Sequence, residues 1–89
     1  MSPITFSDNA WDDYTAMVTQ GDRRALGKIT KLIKDIARTP EDGLGKPEPL
    51  RGEFSGYWSR RITDKDRLIY RTSGDDIQIV QCRGHYGDH

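Results

Sequence analysis

The hydrophobic pattern in the first half of the chain predicts two helices. In each, apolar side chains recur at three- and four-residue spacing, so that one face of the helix is apolar. Ser7 or Asp8 can cap the first helix, which Gly21 ends, and Asp22 can cap the second, which Pro40 ends. The two stripes consist of Ala10, Trp11, Tyr14, Met17 and Val18, and of Leu26, Ile29, Leu32, Ile33 and Ile36. We expect both stripes to pack into the core, with the helices forming a hairpin.

Shorter patterns predict four strands. A β-prone run at residues 4–6 precedes the helices, and three more runs follow them at 57–62, 67–72 and 77–83. Only four residues separate each of these three runs from the next, which favours antiparallel hairpins. The order β-α-α-β-β-β predicts one α+β domain over residues 1–89. In this domain the helical hairpin covers one face of a small, twisted, mainly antiparallel sheet and leaves the other face available for function.

Side-chain alternation divides the strand residues between these two faces. Six residues are assigned to the core face: Trp58, Ile62, Leu68, Tyr70, Val80 and Cys82. Four arginines then point away from the helices: Arg61, Arg67, Arg71 and Arg83. A row of arginines suits bidentate recognition of phosphate. The alternative is a solvated surface on which the arginines pair with nearby carboxylates: Asp64, Asp66 or Glu53.

Glu48 lies between Pro47 and Pro49, in a loop at residues 39–49 that holds three of the four prolines. Each proline fixes its own φ and keeps the residue before it out of the helical region. Glu48 therefore lies on a stiff, extended segment. Its carboxylate is either an incidental solvated group or one that is held towards a substrate.

The charged residues are unevenly distributed, although the formal net charge is zero. A neutral chain is not an obvious nucleic-acid binder. However, residues 23–38 carry six basic residues against one acidic residue, and residues 46–71 carry seven against four. Segregation of this kind can form a basic face on a neutral protein.

The cysteine content, the metal-ligand spacing and the hydrophobicity of the chain indicate its compartment and its cofactors. Cys82 is the only cysteine, so no intramolecular disulfide can form, which fits a reducing compartment. No His or Cys cluster has the spacing of a zinc site, and we expect neither a metal nor a cofactor. Neither a signal peptide nor a membrane-spanning run is recognised. We therefore expect a cytoplasmic protein without membrane contact.

His85 and Tyr86 follow the last predicted strand. Taken alone, such a near-terminal histidine is most simply a solvated residue. Together with Glu48 and the arginines, it completes a set of groups suited to RNA cleavage. That reaction needs a base for the 2′-hydroxyl, a cation for the phosphorane charge and an acid for the 5′-oxygen. It requires no metal.

Several segments resemble the YoeB-type toxins of the RelE/ParE superfamily, the toxin half of bacterial toxin–antitoxin pairs. The resemblance spans residues 3–86 without a large gap. Its most specific segments are GKPEPL at 45–50, SGYWSRRI at 55–62, RLIY at 67–70 and CRGHY at 82–86. The resemblance implies the RelE-like microbial RNase fold and an endoribonuclease that cleaves mRNA in the ribosomal A site.

The resemblance also implies a role for each site residue. Glu48 matches the general base, His85 the general acid, and Arg67 the arginine that stabilises the scissile phosphate. Tyr86 matches a tyrosine that shapes the site. Four basic residues are expected near the substrate: Lys46, Arg51, Arg61 and, from the row of arginines, Arg83.

The implied partners are a cognate antitoxin of the YefM/Phd type, the ribosome with its mRNA, and operator DNA contacted mainly by the antitoxin. The resemblance leaves open whether the chain forms a homodimer. Two alternatives remain: a ParE-like toxin that binds DNA gyrase, and a non-catalytic interaction domain that uses the basic helix 22–38. The ParE branch lacks the acid–base pair, and the interaction domain leaves Glu48 and His85 without a role.

Two positions depart from the family pattern. Asp66 stands where the family often has a histidine before the matched arginine, so it either weakens the site or pairs with Arg67. Residues 87–89 extend the chain beyond Tyr86, where the family often ends. The terminal carboxylate is thereby moved away from Tyr86.

Overall fold

The computed structural model describes residues 3–84, which form two α-helices, one short 3-10 helix and five strands. The elements, in chain order, are β1 (Ile4–Phe6), α1 (Asp8–Gln20), α2 (Arg23–Arg38), β2 (Glu48–Pro49), the 3-10 helix Gly52–Phe54, β3 (Trp58–Arg61), β4 (Arg67–Ser73) and β5 (Asp76–Gln81). Neither of the described helices is long and apolar enough to cross a membrane.

The five strands form one mixed sheet in the order β1-β5-β4-β3-β2. β1 runs parallel to β5, and the other three pairings are antiparallel. The predicted α+β fold with a mainly antiparallel sheet is thus confirmed. The sequence did not predict β2, whose two residues were placed in the loop at 39–49.

Local capping explains where the helices begin and end. The Ser7 hydroxyl accepts a hydrogen bond from the Ala10 N–H (3.1 Å), and the Asp22 carboxylate accepts one from the Ala25 N–H (3.1 Å). Gly21 ends α1 in the left-handed conformation at φ 69°, which glycine adopts without steric cost. These caps confirm the predicted helix boundaries.

The core lies between the helices and one face of the sheet. Its fully buried members include Ile29, Leu32 and Ile36 of α2 and Leu68 and Tyr70 of β4. The prediction that the whole α1 stripe is buried was wrong, because Trp11 and Val18 are 52% and 53% exposed. Each follows a buried residue, Ala10 or Met17, and successive helix residues differ by about 100° around the axis. Both side chains therefore lie at the edge of the packed face.

The assignment of Val80 to the core was also wrong. Ile77 and Ile79 of β5 are buried in the core instead, and Val80 lies outside it. Tyr70 pairs with Ile79 while its neighbour Ile69 pairs with Gln81, so Val80 is an extra residue in β5. A bulge of this kind reverses the alternation of side chains along the strand. Cys82 consequently reaches the core, as predicted.

Candidate active site

The sheet face opposite the helices, here called the outer face, carries Glu48. In the register of the sheet, Glu48 lies opposite Ser59, Ser59 opposite Ile69, and Ile69 opposite Gln81. Residues that pair directly across antiparallel strands share a face. Glu48 therefore begins a row of four side chains that crosses the outer face. Its own side chain is exposed.

The neighbouring row brings basic residues beside Glu48. Arg61 of β3 lies opposite Arg67 of β4. The Arg61 N–H donates to the Gly45 carbonyl (2.7 Å), which places Lys46 alongside Arg61. Given ordinary strand spacing, the Cα atoms of Glu48 and Arg67 are about 12 Å apart. This separation leaves room for a ribose-phosphate unit between the two side chains.

Lys46 leads into β2 in an unusual conformation. Its φ is 53°, and among residues 3–84 it is the one non-glycine residue with a positive φ. The left-handed conformation costs an L-residue about 1–2 kcal/mol. Lys46, Arg61 and Lys28 line a shallow cavity of about 310 Å³ beside Thr63. Asp64 lines the same cavity, so the lining carries three positive charges and one negative charge.

The guanidinium of Arg67 is held against the β3–β4 turn. Its Nη1 donates to the carbonyls of Thr63 (2.9 Å), Asp64 (3.3 Å) and Asp66 (3.3 Å). The predicted pairing of the Asp66 carboxylate with Arg67 was wrong. That carboxylate instead accepts hydrogen bonds from the Gly84 N–H (2.8 Å) and the Thr63 hydroxyl (3.4 Å).

The other predicted site residues are not all part of this arrangement. Arg51 is exposed at the start of the 3-10 helix, beyond the end of β2 that is remote from Lys46. Arg83 is exposed just after β5. Its carbonyl accepts a hydrogen bond from Gln81 Nε2 (2.9 Å). His85 and Tyr86, like the extension at 87–89, lie outside the described residues.

Arg71, the fourth predicted outer-face arginine, has local partners. Its Nε donates to Gln78 Oε1 (2.6 Å), and its guanidinium lies 5.2 Å from the centre of the Tyr57 ring. Arg71 therefore belongs to a third row, on the opposite side of Glu48's row from Arg61 and Arg67. It anchors that end of the outer face.

Arg60 is the main residue that the sequence-based reasoning missed. Its side chain is fully buried. Its Nε donates to Tyr70 Oη (2.9 Å) and its Nη1 to Asp35 Oδ2 (2.6 Å) and the Leu44 carbonyl (3.1 Å). Its Nη2 donates to the carbonyls of Thr39 (2.6 Å) and Asp42 (2.8 Å). All five guanidinium N–H groups are thus used, and most of them bind the loop that leads to Glu48.

Asp35 completes the attachment of this loop to α2. Its Oδ2 accepts a hydrogen bond from the Leu44 N–H (2.9 Å) as well as from Arg60. These bonds, first that from Leu44 and then that from Arg60, lower the pKa of Asp35 below its ordinary value of 3.8. Gly43 packs against the same carboxylate, and a Cβ at this position would collide with it. The loop is therefore fixed at several points before it reaches Glu48.

The outer face offers groups for acid–base and electrostatic catalysis. Within residues 3–84, the Glu48 carboxylate has no hydrogen-bond partner. Across the same residues, no three His, Cys, Asp or Glu side chains cluster in a way that could hold a metal ion. A carboxylate on β2 and a cation on β4 lie on the same face of the sheet, and this pair of groups suits chemistry on a phosphodiester.

Comparison with known proteins gives the family. The model of the YoeB-like toxin of bacterial type II toxin–antitoxin systems matches residues 6–86. A toxin YoeB from Streptomyces coelicolor is 52% identical over 83 residues, which cover 93% of this chain and 98% of the relative.

Solved structures agree with this assignment. The YoeB/ParE toxin from Agrobacterium tumefaciens superposes with a TM-score of 0.87 at 46% identity and covers 94% of this chain and 99% of that one. A YoeB-YefM complex from Staphylococcus aureus contains a chain with a TM-score of 0.87 at 39% identity, covering 97% and 99%. The chain therefore belongs to the family of YoeB-like toxins of bacterial type II toxin–antitoxin systems.

Proposed function

We propose that this toxin is an endoribonuclease that cleaves mRNA in the ribosomal A site and thereby inhibits translation. The observation that carries the proposal is the pairing register, because it puts Glu48 and Arg67 on the same face of the sheet. Membership of the YoeB-like toxin family agrees with a toxic activity of this kind.

The proposed reaction is a metal-independent transesterification within the RNA. Glu48 takes the proton of a 2′-hydroxyl, whose oxygen forms a bond to the adjacent phosphorus. The bond from phosphorus to the 5′-oxygen breaks, and His85 protonates that leaving oxygen. The products carry a 2′,3′-cyclic phosphate and a 5′-hydroxyl. Each proton transfer of this kind contributes ~10²–10⁴-fold to the rate.

Positive charge on the outer face has two proposed uses. Arg67 stabilises the charge that develops on the phosphorane in the transition state. Lys46 and Arg61, beside the shallow cavity, bind phosphates of neighbouring nucleotides. Arg83 and Tyr86 are proposed to border the same substrate from the C-terminal side, and Arg51 to bind RNA further along the sheet.

Dependence on the ribosome follows from the exposure of Glu48. An exposed carboxylate does little by itself to orient a flexible RNA. Alignment of reacting groups is worth ~7–11 kcal/mol of a barrier. An unperturbed histidine is, moreover, only about one-quarter protonated at pH 7. We therefore expect slow cleavage of free RNA and faster cleavage of RNA that the ribosome holds in place.

The proposed partner that controls the toxin is a cognate antitoxin of the YefM/Phd type. The S. aureus relative, solved as a YoeB-YefM complex, supports this proposal. Toxin and antitoxin would act in the cytoplasm, and the antitoxin would make most of the contacts to operator DNA.

Primer extension on a translated mRNA tests the proposed activity. The purified toxin should produce cuts at A-site codons only when ribosomes are present. Equal cuts without ribosomes, or no cuts, would refute the proposal. Inhibition of gyrase supercoiling without RNA cleavage would instead support the ParE-like alternative.

Paired variants test the acid–base roles. Glu48→Gln and His85→Gln should each lower the single-turnover rate by roughly 10²-fold or more while the melting temperature stays close to that of the wild type. Glu53→Gln is the matched control, since Glu53 is an exposed glutamate in the neighbouring 3-10 helix, outside the row that contains Glu48. A folded Glu48→Gln or His85→Gln variant that cleaves at the wild-type rate would remove that residue from the mechanism.

A further inference from the structure

Asp66 makes hydrogen bonds in two directions from the end of the β3–β4 turn. Its backbone closes the turn, because its carbonyl accepts from the N–H groups of Ile62 (3.0 Å) and Thr63 (3.2 Å). Its N–H donates to the Thr63 hydroxyl (3.1 Å). Its carboxylate reaches across 18 residues of sequence to accept the Gly84 N–H (2.8 Å).

Gly84 is held on both sides of its backbone. While its N–H donates to the Asp66 carboxylate, its carbonyl accepts from the Arg67 N–H (2.9 Å). Its φ of 74° is in the left-handed region, which glycine adopts most readily. Bonds to two consecutive residues fix both the position and the direction of the backbone at Gly84.

The same turn holds the side chain of Arg67. Arg67 Nη1 donates to three turn carbonyls, including that of Asp66. One rigid turn therefore supports both the guanidinium of Arg67 and the backbone of Gly84, which immediately precedes His85 in the chain. These are the two places from which the proposed reaction takes its cation and its acid.

We propose that Asp66 is a positioning residue for the proposed cleavage reaction: its carboxylate fixes Gly84 and thereby sets the start of the tail that carries His85 relative to Arg67. The inference rests on the proposed function. It also gives Asp66 a role in place of the expected weakening of the site. The hydrogen-bonded oxygen performs this role, so an uncharged side chain of the same shape should largely replace it.

Three variants test the proposal on ribosome-bound mRNA. Asp66→Ala removes the acceptor and should lower the single-turnover cleavage rate by about 10- to 100-fold, since misplacement by ~1 Å can cost ~10²-fold. Asp66→Asn keeps an acceptor oxygen and should stay within a few-fold of the wild type. Asp64→Ala is the matched control, because Asp64 is an exposed carboxylate of the same turn that contributes a backbone carbonyl to Arg67. Binding to the ribosome should be equal in all three.

A double variant separates positioning from general stability. If Asp66 acts through His85, Asp66→Ala should slow the wild type but have little further effect in the His85→Gln background. A merely structural role would lower the rate by the same factor in both backgrounds. Full additivity of the two effects on the cleavage rate would therefore overturn the proposal. Cleavage by Asp66→Ala at the wild-type rate would also overturn it. So would an Asp66→Asn variant that cleaves as slowly as Asp66→Ala.

Hydrogen exchange at the Gly84 amide tests the anchor without any enzymatic activity. The amide should be protected in the wild type and in Asp64→Ala and should exchange faster in Asp66→Ala. Equal exchange in all three proteins would overturn the anchor even if the wild type cleaves mRNA. A protected Gly84 in a wild type that does not cleave would instead refute the proposed function and leave the anchor standing.

Discussion

Replacing the buried Arg60 should destabilise the protein more than replacing any exposed arginine of the sheet. Arg60→Met keeps an unbranched, largely apolar side chain of similar length and removes the guanidinium with its five hydrogen bonds. The main consequence is loss of the attachment between β3 and the loop that carries Glu48.

The magnitude follows from the surroundings of each partner. Removal of one member of a buried ion pair costs about 3–5 kcal/mol. The lower end applies here, because the Asp35 side chain is 15% exposed and because Thr39, Asp42 and Leu44 are exposed residues whose carbonyls can bind water instead. Tyr70 retains its hydrogen bond to the Pro40 carbonyl (2.6 Å). A loss of about 3 kcal/mol lowers the melting temperature of a domain of this size by roughly 12–24 °C. This loss is a large fraction of the total free energy of unfolding, which is about 0.05–0.15 kcal/mol per residue.

Thermal unfolding followed by circular dichroism measures the change, with Arg61→Met as the control. Arg61 is the next residue of β3, but its side chain is exposed, so its loss should change stability by no more than about 0.5 kcal/mol. Both variants lose one positive charge and gain the same side chain. The difference between them therefore isolates the buried network.

Two results would refute this reasoning. One is a melting temperature of Arg60→Met close to that of Arg61→Met. The other is additivity of the stability changes caused by Arg60→Met and Asp35→Asn. Because the two residues share one network, Asp35→Asn should have a much smaller effect in Arg60→Met than in the wild type. The cleavage rate of any folded Arg60→Met protein should also fall, since the loop at 39–47 sets the position of Glu48.

Three further predictions concern other groups. Arg67→Lys should lose ~2.7–4 kcal/mol of transition-state stabilisation with little change in ribosome binding. Single-turnover cleavage measures the first effect and ribosome pelleting the second. Normal cleavage by the ribosome-bound variant would make Arg67 a docking residue. Because the pKa of Asp35 is lowered on folding, its stabilising contribution is complete above the ordinary value of 3.8 and is lost as the pH falls through the folded value. Melting temperatures between pH 6 and 2 should therefore fall more for the wild type than for Asp35→Asn, and parallel curves would contradict this. Burial raises the pKa of Cys82 to about 12. A thiol reagent at pH 8 should therefore label Cys82 only in denaturant. Rapid labelling of the native protein would contradict this, because it would show that Cys82 is accessible.

The elements that local sequence determines could be predicted well. Ser7, Gly21 and Asp22 act through their own or adjacent backbone groups, so the ends of α1 and the start of α2 follow from chemistry within a few residues. The stiff, extended state of Glu48 follows likewise from its flanking prolines. These features need no knowledge of the rest of the chain.

Features that depend on pairing between distant segments could not be predicted in the same way. The bulge at Val80 arises from the register between β4 and β5, and alternation along β5 alone gives the wrong face. The pairing of Glu48 with Ser59 depends equally on where β2 meets β3. Arg60 did give one usable signal, because alternation places it on the core face between Trp58 and Ile62. A charge in that position requires buried partners, but only the fold identifies them as Asp35 and loop carbonyls.

Separate anchors act on the segments that carry or precede the three proposed catalytic groups. The Arg60 network fixes the loop before Glu48, the β3–β4 turn holds Arg67, and Asp66 fixes the chain before His85. A domain of 89 residues has a small core. It can nevertheless fix the backbone beside its proposed reacting groups, because each anchor needs only a few hydrogen bonds. In the proposed function the toxin therefore orients its own catalytic groups. The ribosome orients the RNA.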